Sequence, residues 1–167
     1  DIEELLNEPY HEYRLTALFM MVYKFEKAKD ESEREEIVNT YLKNIEAVNN
    51  WDLVDSSAPQ ILGLFLWDKS KDILYEMAQT PDLWKQRIAI MSTFYFIKQG
   101  EYDDALKISE ILLNHKHDLI HKAVGWMLRE IGNRDFEVEY NFLKENYKAM
   151  PRTMLRYAIE KFEPDLR

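Results

Sequence analysis

Residues 84–90 read Trp84-Lys-Gln-Arg-Ile-Ala-Ile90, a segment in which an arginine is followed two positions later by an alanine. Similar segments, with the alanine two or three positions after an arginine, are His11-Glu-Tyr-Arg-Leu-Thr-Ala17 and Arg152-Thr-Met-Leu-Arg-Tyr-Ala158. A small alanine lets neighbouring helices pack closely, while the arginine can remain on an open face. The recurrence therefore predicts a repeated helical unit.

Apolar residues recur at helical spacing along almost the whole chain around these segments. We predict helices near residues 10–28, 31–47, 51–66, 70–79, 81–99, 101–114, 118–131, 135–147 and 151–162, with residues 1–7 as the end of an earlier helix. The predicted core-facing residues include Leu15, Leu18, Phe19, Val22, Phe25, Ile37, Tyr41, Ile45, Val48, Ile88, Met91, Tyr95, Ile108, Ile111 and Leu112. Gly100 and Gly132 stand where a glycine would end a helix.

The spacing of the helix pairs predicts the architecture. Pairs begin near residues 10, 51, 81, 118 and 151, which are 30 to 41 residues apart, the period of an α-solenoid. Only four glycines and five prolines occur in 167 residues, which argues against a β-sandwich or barrel. We predict an all-α fold in which antiparallel helix pairs of HEAT-like or ARM-like type stack over one domain, residues 1–167; an all-α bundle remains the alternative.

Charge is segregated although the total is −9. The first helices of the later pairs carry more cations than acids: three against one in 81–100, four against two in 115–134, and four against one in 148–161. The second helices show the reverse: six acids against two cations in 30–46, four against one in 101–114, and four against one in 135–147. In a solenoid each rank of helices forms one face, so we predict a curved molecule with a basic concave face, typical of nucleic-acid binding. Ordinary solvated helices remain the alternative.

Several kinds of chemistry are excluded by residue type. The chain has no cysteine, hence no disulfide, thiolate metal site or thiol nucleophile. It has no phosphate-binding glycine loop and no Ser/His/Asp order. Of His115, His117 and His121 only the last two share a helical face, without clustered acidic ligands, so we predict no metal site.

Two helices carry the candidate site. Trp51 and Asp55 are four residues apart and share a face, whereas Lys122, Trp126 and Arg129 share a face of a later helix. Together they would form a cationic and aromatic cleft that contains one carboxylate. Each has a simpler interpretation: a tryptophan is most often a core residue, which we prefer for Trp67 and Trp84, and Asp55 can be half of an ion pair with an arginine.

At these residues the chain resembles the AlkD-type DNA alkylation repair family, whose members are HEAT-like repeat DNA glycosylases. The resemblance rests on four motifs in the family's order and spacing, over essentially all of residues 1–167: Asn50-Trp-Asp-Leu-Val-Asp-Ser-Ser-Ala-Pro59, Trp84-x-x-Arg87-Ile-Ala, His121-Lys-Ala-Val-Gly-Trp126-Met-Leu-Arg129-Glu and Pro151-Arg-Thr-Met-Leu-Arg-Tyr-Ala158. The family's opening helices have no counterpart here, so we expect the chain to lack them.

The resemblance implies excision of positively charged N3-methyladenine and N7-methylguanine by hydrolysis of the N-glycosidic bond, without flipping of the base. It assigns catalysis to Trp51, Asp55 and Trp126 and a DNA-backbone contact to Arg87. We add Lys122, Arg129, Arg152 and Arg156 as backbone contacts. The expected partner is double-stranded DNA that carries alkylated bases, bound by a monomer without metal or cofactor in a bacterial-type cytoplasm. The alternatives are a non-catalytic DNA-binding or damage-sensing member of the same fold and a HEAT-type protein scaffold.

Overall fold

The computed structural model describes residues 1–167, and every regular element in it is helical. The helices are α1 (Ile2–Leu6), α2 (His11–Lys27), α3 (Glu31–Lys43), α4 (Trp51–Asp55), α5 (Leu64–Leu66), α6 (Asp72–Gln79), α7 (Leu83–Lys98), α8 (Asp103–Leu112), α9 (Asp118–Gly132), α10 (Phe136–Asn146) and α11 (Arg152–Ala158). A π-helical segment, Pro59–Gly63, joins α4 to α5, and short 3₁₀ turns occupy Ile45–Ala47, Ile159–Lys161 and Pro164–Leu166. None of the helices is long and apolar enough to cross a membrane.

The helices pack as a stack of pairs. The first helices contact one another in chain order, α2 with α4, α4 with α7, α7 with α9, and α9 with α11. Each of α3, α8 and α10 contacts the first helix of its own pair, while α6 contacts α7 and α8. Short connections between successive helices favour this arrangement. The predicted all-α solenoid is confirmed.

One continuous apolar core runs between the two ranks of helices and includes Phe25, Tyr41, Ile88, Phe96 and Val124. Trp67 and Trp84 pack against this core, as predicted.

The predicted core position of Phe19 is wrong, because its side chain is 54% exposed. Helix α2 instead buries Ala17, Leu18, Met21 and Phe25. One residue is about 100° of helix rotation, so Phe19 lies on the next face along from Leu18. Ile111 of α8 is exposed for the same reason, since Ile108 and Leu112 define the buried side of that helix.

The single helix predicted for residues 51–66 is interrupted. Helix α4 ends at Asp55, and Pro59 stands four residues later, where it has no N–H to donate to the Asp55 carbonyl. The chain turns through Ser56 and Ser57 and continues as the π segment, in which the Leu64 N–H donates to the carbonyl of Pro59. Pro59 thus sets the end of α4 immediately after an acidic residue.

Smaller differences concern the helix ends. The helix predicted for 31–47 stops at Lys43, and the one predicted for 151–162 stops at Ala158; a 3₁₀ turn follows each of them. Gly100 ends α7 with a φ of 83°, a left-handed conformation that glycine adopts without strain. Gly132, in contrast, is the last residue of α9, and a Cβ atom there would collide with the Glu139 carboxylate.

Candidate functional site

A central cleft of about 440 Å³ opens between the first helices of four successive pairs, α4, α7, α9 and α11. Its lining residues all lie on helices: Trp51 and Asp55 on α4, Arg87 on α7, Leu119, Lys122, Trp126 and Arg129 on α9, and Tyr157 on α11. The structure therefore brings together, in one cavity, six of the eight residues that the sequence singles out.

Asp55 and Arg87 form an ion pair at this cleft. The Arg87 Nε atom donates to Oδ1 of Asp55 at 2.9 Å, and Nη2 donates to Oδ2 at 2.8 Å. The remaining guanidinium nitrogen, Nη1, donates to the backbone carbonyl of Leu119 at 2.5 Å. The pair thus ties α4 to α7, and α7 to the first turn of α9.

The Asp55 carboxyl group is subject to opposing influences. Burial raises its pKa above the usual value of 3.8, and the neighbouring Asp52 adds to this increase. The hydrogen bonds and the positive charge of Arg87 act in the opposite direction. Because both Asp55 oxygens accept hydrogen bonds from a guanidinium, the observed geometry is that of the ionised form.

Arg87 lines the cleft, but its guanidinium group is engaged by groups of the protein. Only 5% of the residue is exposed, and all three guanidinium nitrogens donate to groups of the protein. The expected contact of Arg87 with the DNA backbone stays a prediction, and a guanidinium that left Asp55 to make it would pay a large desolvation cost. The observed geometry fits the alternative that the sequence left open, in which Asp55 pairs with an arginine.

The two cleft tryptophans differ in exposure. Trp51 begins α4 and is 53% exposed, so a large part of its indole faces solvent at the mouth of the cleft. Trp126 is half-buried on α9, where the ring of Phe94 packs against it with 5.9 Å between ring centroids. One indole is therefore free to meet a ligand, and the other is held by the protein.

The cations of the cleft are partly paired. Lys122 donates to Asp118 at 2.9 Å, a contact that raises the pKa of the Lys122 ammonium group. Arg129 forms an ion pair with Glu160, which lies in the 3₁₀ turn after α11. Both cations border the cleft.

Arg152 and Arg156 lie outside the central cleft, on the exposed side of α11. With Arg167 and Glu160 they line a neighbouring cavity of about 480 Å³, and neither forms an ion pair with an acidic side chain. The Arg156 guanidinium lies 5.9 Å from the centre of the Tyr157 ring. These two arginines continue the cationic lining of the central cleft towards the C-terminus.

A glycine sets the approach of α9 to α11. A Cβ atom on Gly125 would lie 2.5 Å from the carbonyl oxygen of Met154 and 2.5 Å from the Cβ of Tyr157. Only a residue without a side chain permits this contact. Gly125 directly precedes Trp126, so the same contact brings Tyr157 to the cleft.

Sequence reasoning missed two residues of the cleft and one contact outside its lining. Tyr157 belongs to a quoted motif but was not singled out, and the Leu119 carbonyl is a backbone group that residue type does not reveal. The contact outside the lining is that of His11, whose Nε2 lies 2.7 Å from Oδ2 of Asp52, one residue after Trp51. A histidine and an acid 41 residues apart carry no local signal of such a contact.

The histidines near the start of α9 contact groups of the protein. His115 Nε2 lies 2.8 Å from Oε1 of Gln86, and His121 Nε2 donates to the His115 carbonyl. The His117 side chain caps α9 by accepting from the Leu119 N–H. In the described residues, 1–167, no group of three or more His, Cys, Asp or Glu side chains could hold a metal ion.

The fold and the cleft define a helical-repeat protein whose central cleft holds one acidic residue and two indoles. A family model described as "DNA alkylation repair enzyme" matches residues 1–162, and the chain belongs to this family. Membership implies a role in DNA alkylation repair with DNA as the partner.

A structural comparison agrees with this assignment. A solved structure described as a predicted DNA alkylation repair enzyme from Enterococcus faecalis is similar in fold, with a TM-score of 0.78. The match covers 98% of this chain and 74% of that chain at 16% sequence identity. No curated protein matches the sequence significantly.

Proposed function

We propose that the protein is a DNA glycosylase that hydrolyses the N-glycosidic bond of positively charged alkylated purines, N3-methyladenine and N7-methylguanine, in duplex DNA. The observation that supports this proposal most directly is the position of the Asp55 carboxylate in a cleft bordered by Trp51 and Trp126. The reaction would remove alkylation damage as the first step of base excision repair.

The positive charge of the lesion explains why the site needs no general acid. An alkylated purine that already carries a positive charge leaves as a neutral base when the bond from C1′ to N9 breaks and its electron pair moves to the purine. A general acid is therefore unnecessary, which agrees with a cleft whose lining contains one carboxylate and no histidine. Water then adds to C1′ and loses a proton, so that an abasic site remains.

Asp55 acts on the sugar in this scheme. Bond cleavage leaves positive charge on the deoxyribose, and an adjacent carboxylate stabilises that charge and orients or deprotonates the attacking water. Arg87 keeps the carboxylate ionised and holds both its oxygens in a fixed direction. We therefore propose Arg87 as the residue that positions Asp55, in place of the expected phosphate contact.

The two indoles favour cationic lesions. The faces of tryptophan rings are electron-rich and attract positive charge, a contribution of about 0.5–2 kcal/mol each. Trp51 and Trp126 would border the sugar and phosphate of the damaged nucleotide from two sides. The scheme predicts excision of cationic purines over neutral lesions such as uracil or 1,N6-ethenoadenine, and equally fast removal of uracil and 7-methylguanine would contradict it.

DNA binding is assigned to Lys122, Arg129, Arg152 and Arg156, which would contact the phosphates on either side of the lesion. The cleft lies open between exposed helix faces and has a volume of about 440 Å³, so we propose that the nucleotide enters by its backbone without flipping of the base. The stacked fold presents these residues on one chain, which agrees with function as a monomer.

One observation favours a second candidate, a non-catalytic DNA-binding or damage-sensing protein. Both oxygens of Asp55 already accept hydrogen bonds from Arg87, and in this second candidate the ion pair is purely structural. The two candidates differ in whether removal of the Asp55 charge changes a rate.

The test is release of 7-methylguanine from a duplex oligonucleotide in single turnover, with the wild type beside Asp55→Asn. We expect release by the wild type and a rate about 10²- to 10³-fold lower for the variant, at similar duplex affinity. Equal rates would remove Asp55 from the mechanism. Absence of release from both, with duplex binding that still depends on salt, would favour the non-catalytic protein.

A further inference from the structure

The half-buried indole of the cleft has a fixed partner at its edge. The Nε1–H group of Trp126 donates to Oε1 of Glu130 at 3.2 Å, one helical turn further along α9. Glu130 is not among the residues that line the cleft. Its carboxylate therefore contacts the indole from outside the lining of the cleft.

Glu130 is itself held in place. The Arg134 guanidinium donates from Nη1 to Oε2 of Glu130 at 2.8 Å and to its backbone carbonyl at 2.7 Å. Only 19% of the Glu130 side chain is exposed. Trp126 and Glu130 lie one turn apart on the same face of α9, and Arg134 follows in the turn after the helix.

Phe94 of α7 restrains the same indole from a second direction. Its ring is inclined by 47° to the ring of Trp126. A hydrogen bond at the nitrogen edge and an aromatic contact together restrict rotation of the Trp126 side chain, whereas Trp51 has no hydrogen bond to its indole nitrogen. The Trp126 indole is thus held in place before a ligand binds, whereas the indole nitrogen of Trp51 is not held by a hydrogen bond.

We propose that Glu130 is a positioning residue that fixes the Trp126 indole and, through its negative charge, strengthens the attraction of that ring for a cationic nucleotide. The inference rests on the proposed function. A carboxylate that accepts the indole N–H bond polarises it and increases the electron density of the ring, which is the property on which a cation–π contact depends. Glu130 acts through Trp126 and does not touch the substrate.

Two substitutions separate the two parts of this role. Glu130→Gln keeps an acceptor for the indole N–H but removes the charge, whereas Glu130→Ala removes both. The matched control is Glu110→Gln, which removes one negative charge from an exposed position of α8, away from the cleft. Thermal unfolding of each variant establishes that it is folded.

The first measurement is single-turnover release of 7-methylguanine with duplex affinity determined in parallel. We expect Glu130→Gln to lower the rate about two- to fivefold, a fraction of what a cation–π contact contributes, and Glu130→Ala to lower it further. Glu110→Gln should leave the rate unchanged. A rate that is equal in wild type, Glu130→Gln and Glu130→Ala would overturn the inference.

The second measurement is a ¹H–¹⁵N spectrum of the tryptophan indole groups, with the Trp126 signal assigned from its loss in Trp126→Phe. The Trp126 N–H signal should move in both Glu130 variants, and more in Glu130→Ala, while the other three tryptophan signals stay in place. This readout does not need turnover. Absence of base release by the wild type would overturn the proposed function, whereas an unmoved Trp126 signal would overturn the inference.

Discussion

Arg87 donates to both carboxylate oxygens of Asp55 across the contact between α7 and α4, and its third nitrogen donates to the Leu119 carbonyl of α9. One buried guanidinium therefore links three successive first helices at the cleft. The pair compensates the burial of Asp55, whose pKa would otherwise rise further. In the proposed reaction, the ionised state of Asp55 depends on Arg87.

Replacement of Arg87 by glutamine should shift the pH dependence of base release. Loss of the cation leaves the burial of Asp55 unopposed, so its pKa rises and the carboxylate becomes protonated at a higher pH than in the wild type. Because the ionised form is the active one, the acid limb of the rate profile moves to higher pH. Single-turnover rates from about pH 5 to pH 9 measure this shift; an unmoved acid limb would separate Arg87 from the ionisation of Asp55.

Duplex binding should weaken steeply with salt. The four assigned phosphate contacts predict a loss of roughly 10²-fold in affinity between ~50 and ~200 mM salt. Arg156→Ala should reduce the slope of log affinity against log salt by about one, because one phosphate contact is lost. The control is Lys107→Ala on α8, an exposed cation outside both cavities, which should leave the slope unchanged. A flat salt dependence would favour a protein scaffold.

Gly125→Ala should lower both stability and activity. The new methyl group meets the Met154 carbonyl and the Tyr157 side chain at 2.5 Å, so α9 and α11 must separate, at a cost of about 1–3 kcal/mol in the free energy of unfolding. Urea unfolding measures the stability, and the base-release rate reports the change at the adjacent Trp126. Gly100→Ala is the comparison, since strain at its positive φ should lower stability without a change in rate; an equal loss of rate in both variants would contradict the assignment.

Stability should fall between about pH 4.5 and pH 8 because of Glu139. This side chain is 2% exposed, and burial raises its pKa from 4.5 to about 8, although the positive charge of Arg129 opposes the increase. The folded protein retains a proton that the unfolded chain releases in this range, so the free energy of unfolding decreases as pH rises. Glu139→Gln removes this ionisation and should flatten the decrease. Urea unfolding at both ends of the range measures it, and identical pH slopes in the two proteins would show that Glu139 is not the source.

The sequence predicted the parts of the site that lie on a single helix. Trp51 and Asp55 share a face because they are four residues apart, and Lys122, Trp126 and Arg129 do so by the same rule. The family motifs also assigned residues of these two helices to one catalytic site. The roles of these residues in catalysis and DNA binding stay predictions.

Contacts between residues of different helices were harder to predict from the sequence. The sequence left the Asp55 ion pair as an alternative and could not name Leu119, because a backbone carbonyl is the same in every residue. Phe19 shows a different limit. Apolar spacing locates the buried face of a helix only to within about one residue, and a shift of one residue is enough to move a ring from the core to the solvent. The break after Asp55 had a local signal in Pro59, because a proline inside a helix lacks the N–H that would donate to the carbonyl four residues earlier.

Every residue that lines the central cleft stands on a helix, and none stands on a loop. Side chains on packed helices tend to keep their positions when a ligand arrives, so we expect the lining of the cleft to stay open when DNA binds. In the proposed reaction, the DNA itself must then cover the cleft. The damaged strand would be substrate and lid at once, and only water already trapped beneath it, beside Asp55, would be available for hydrolysis.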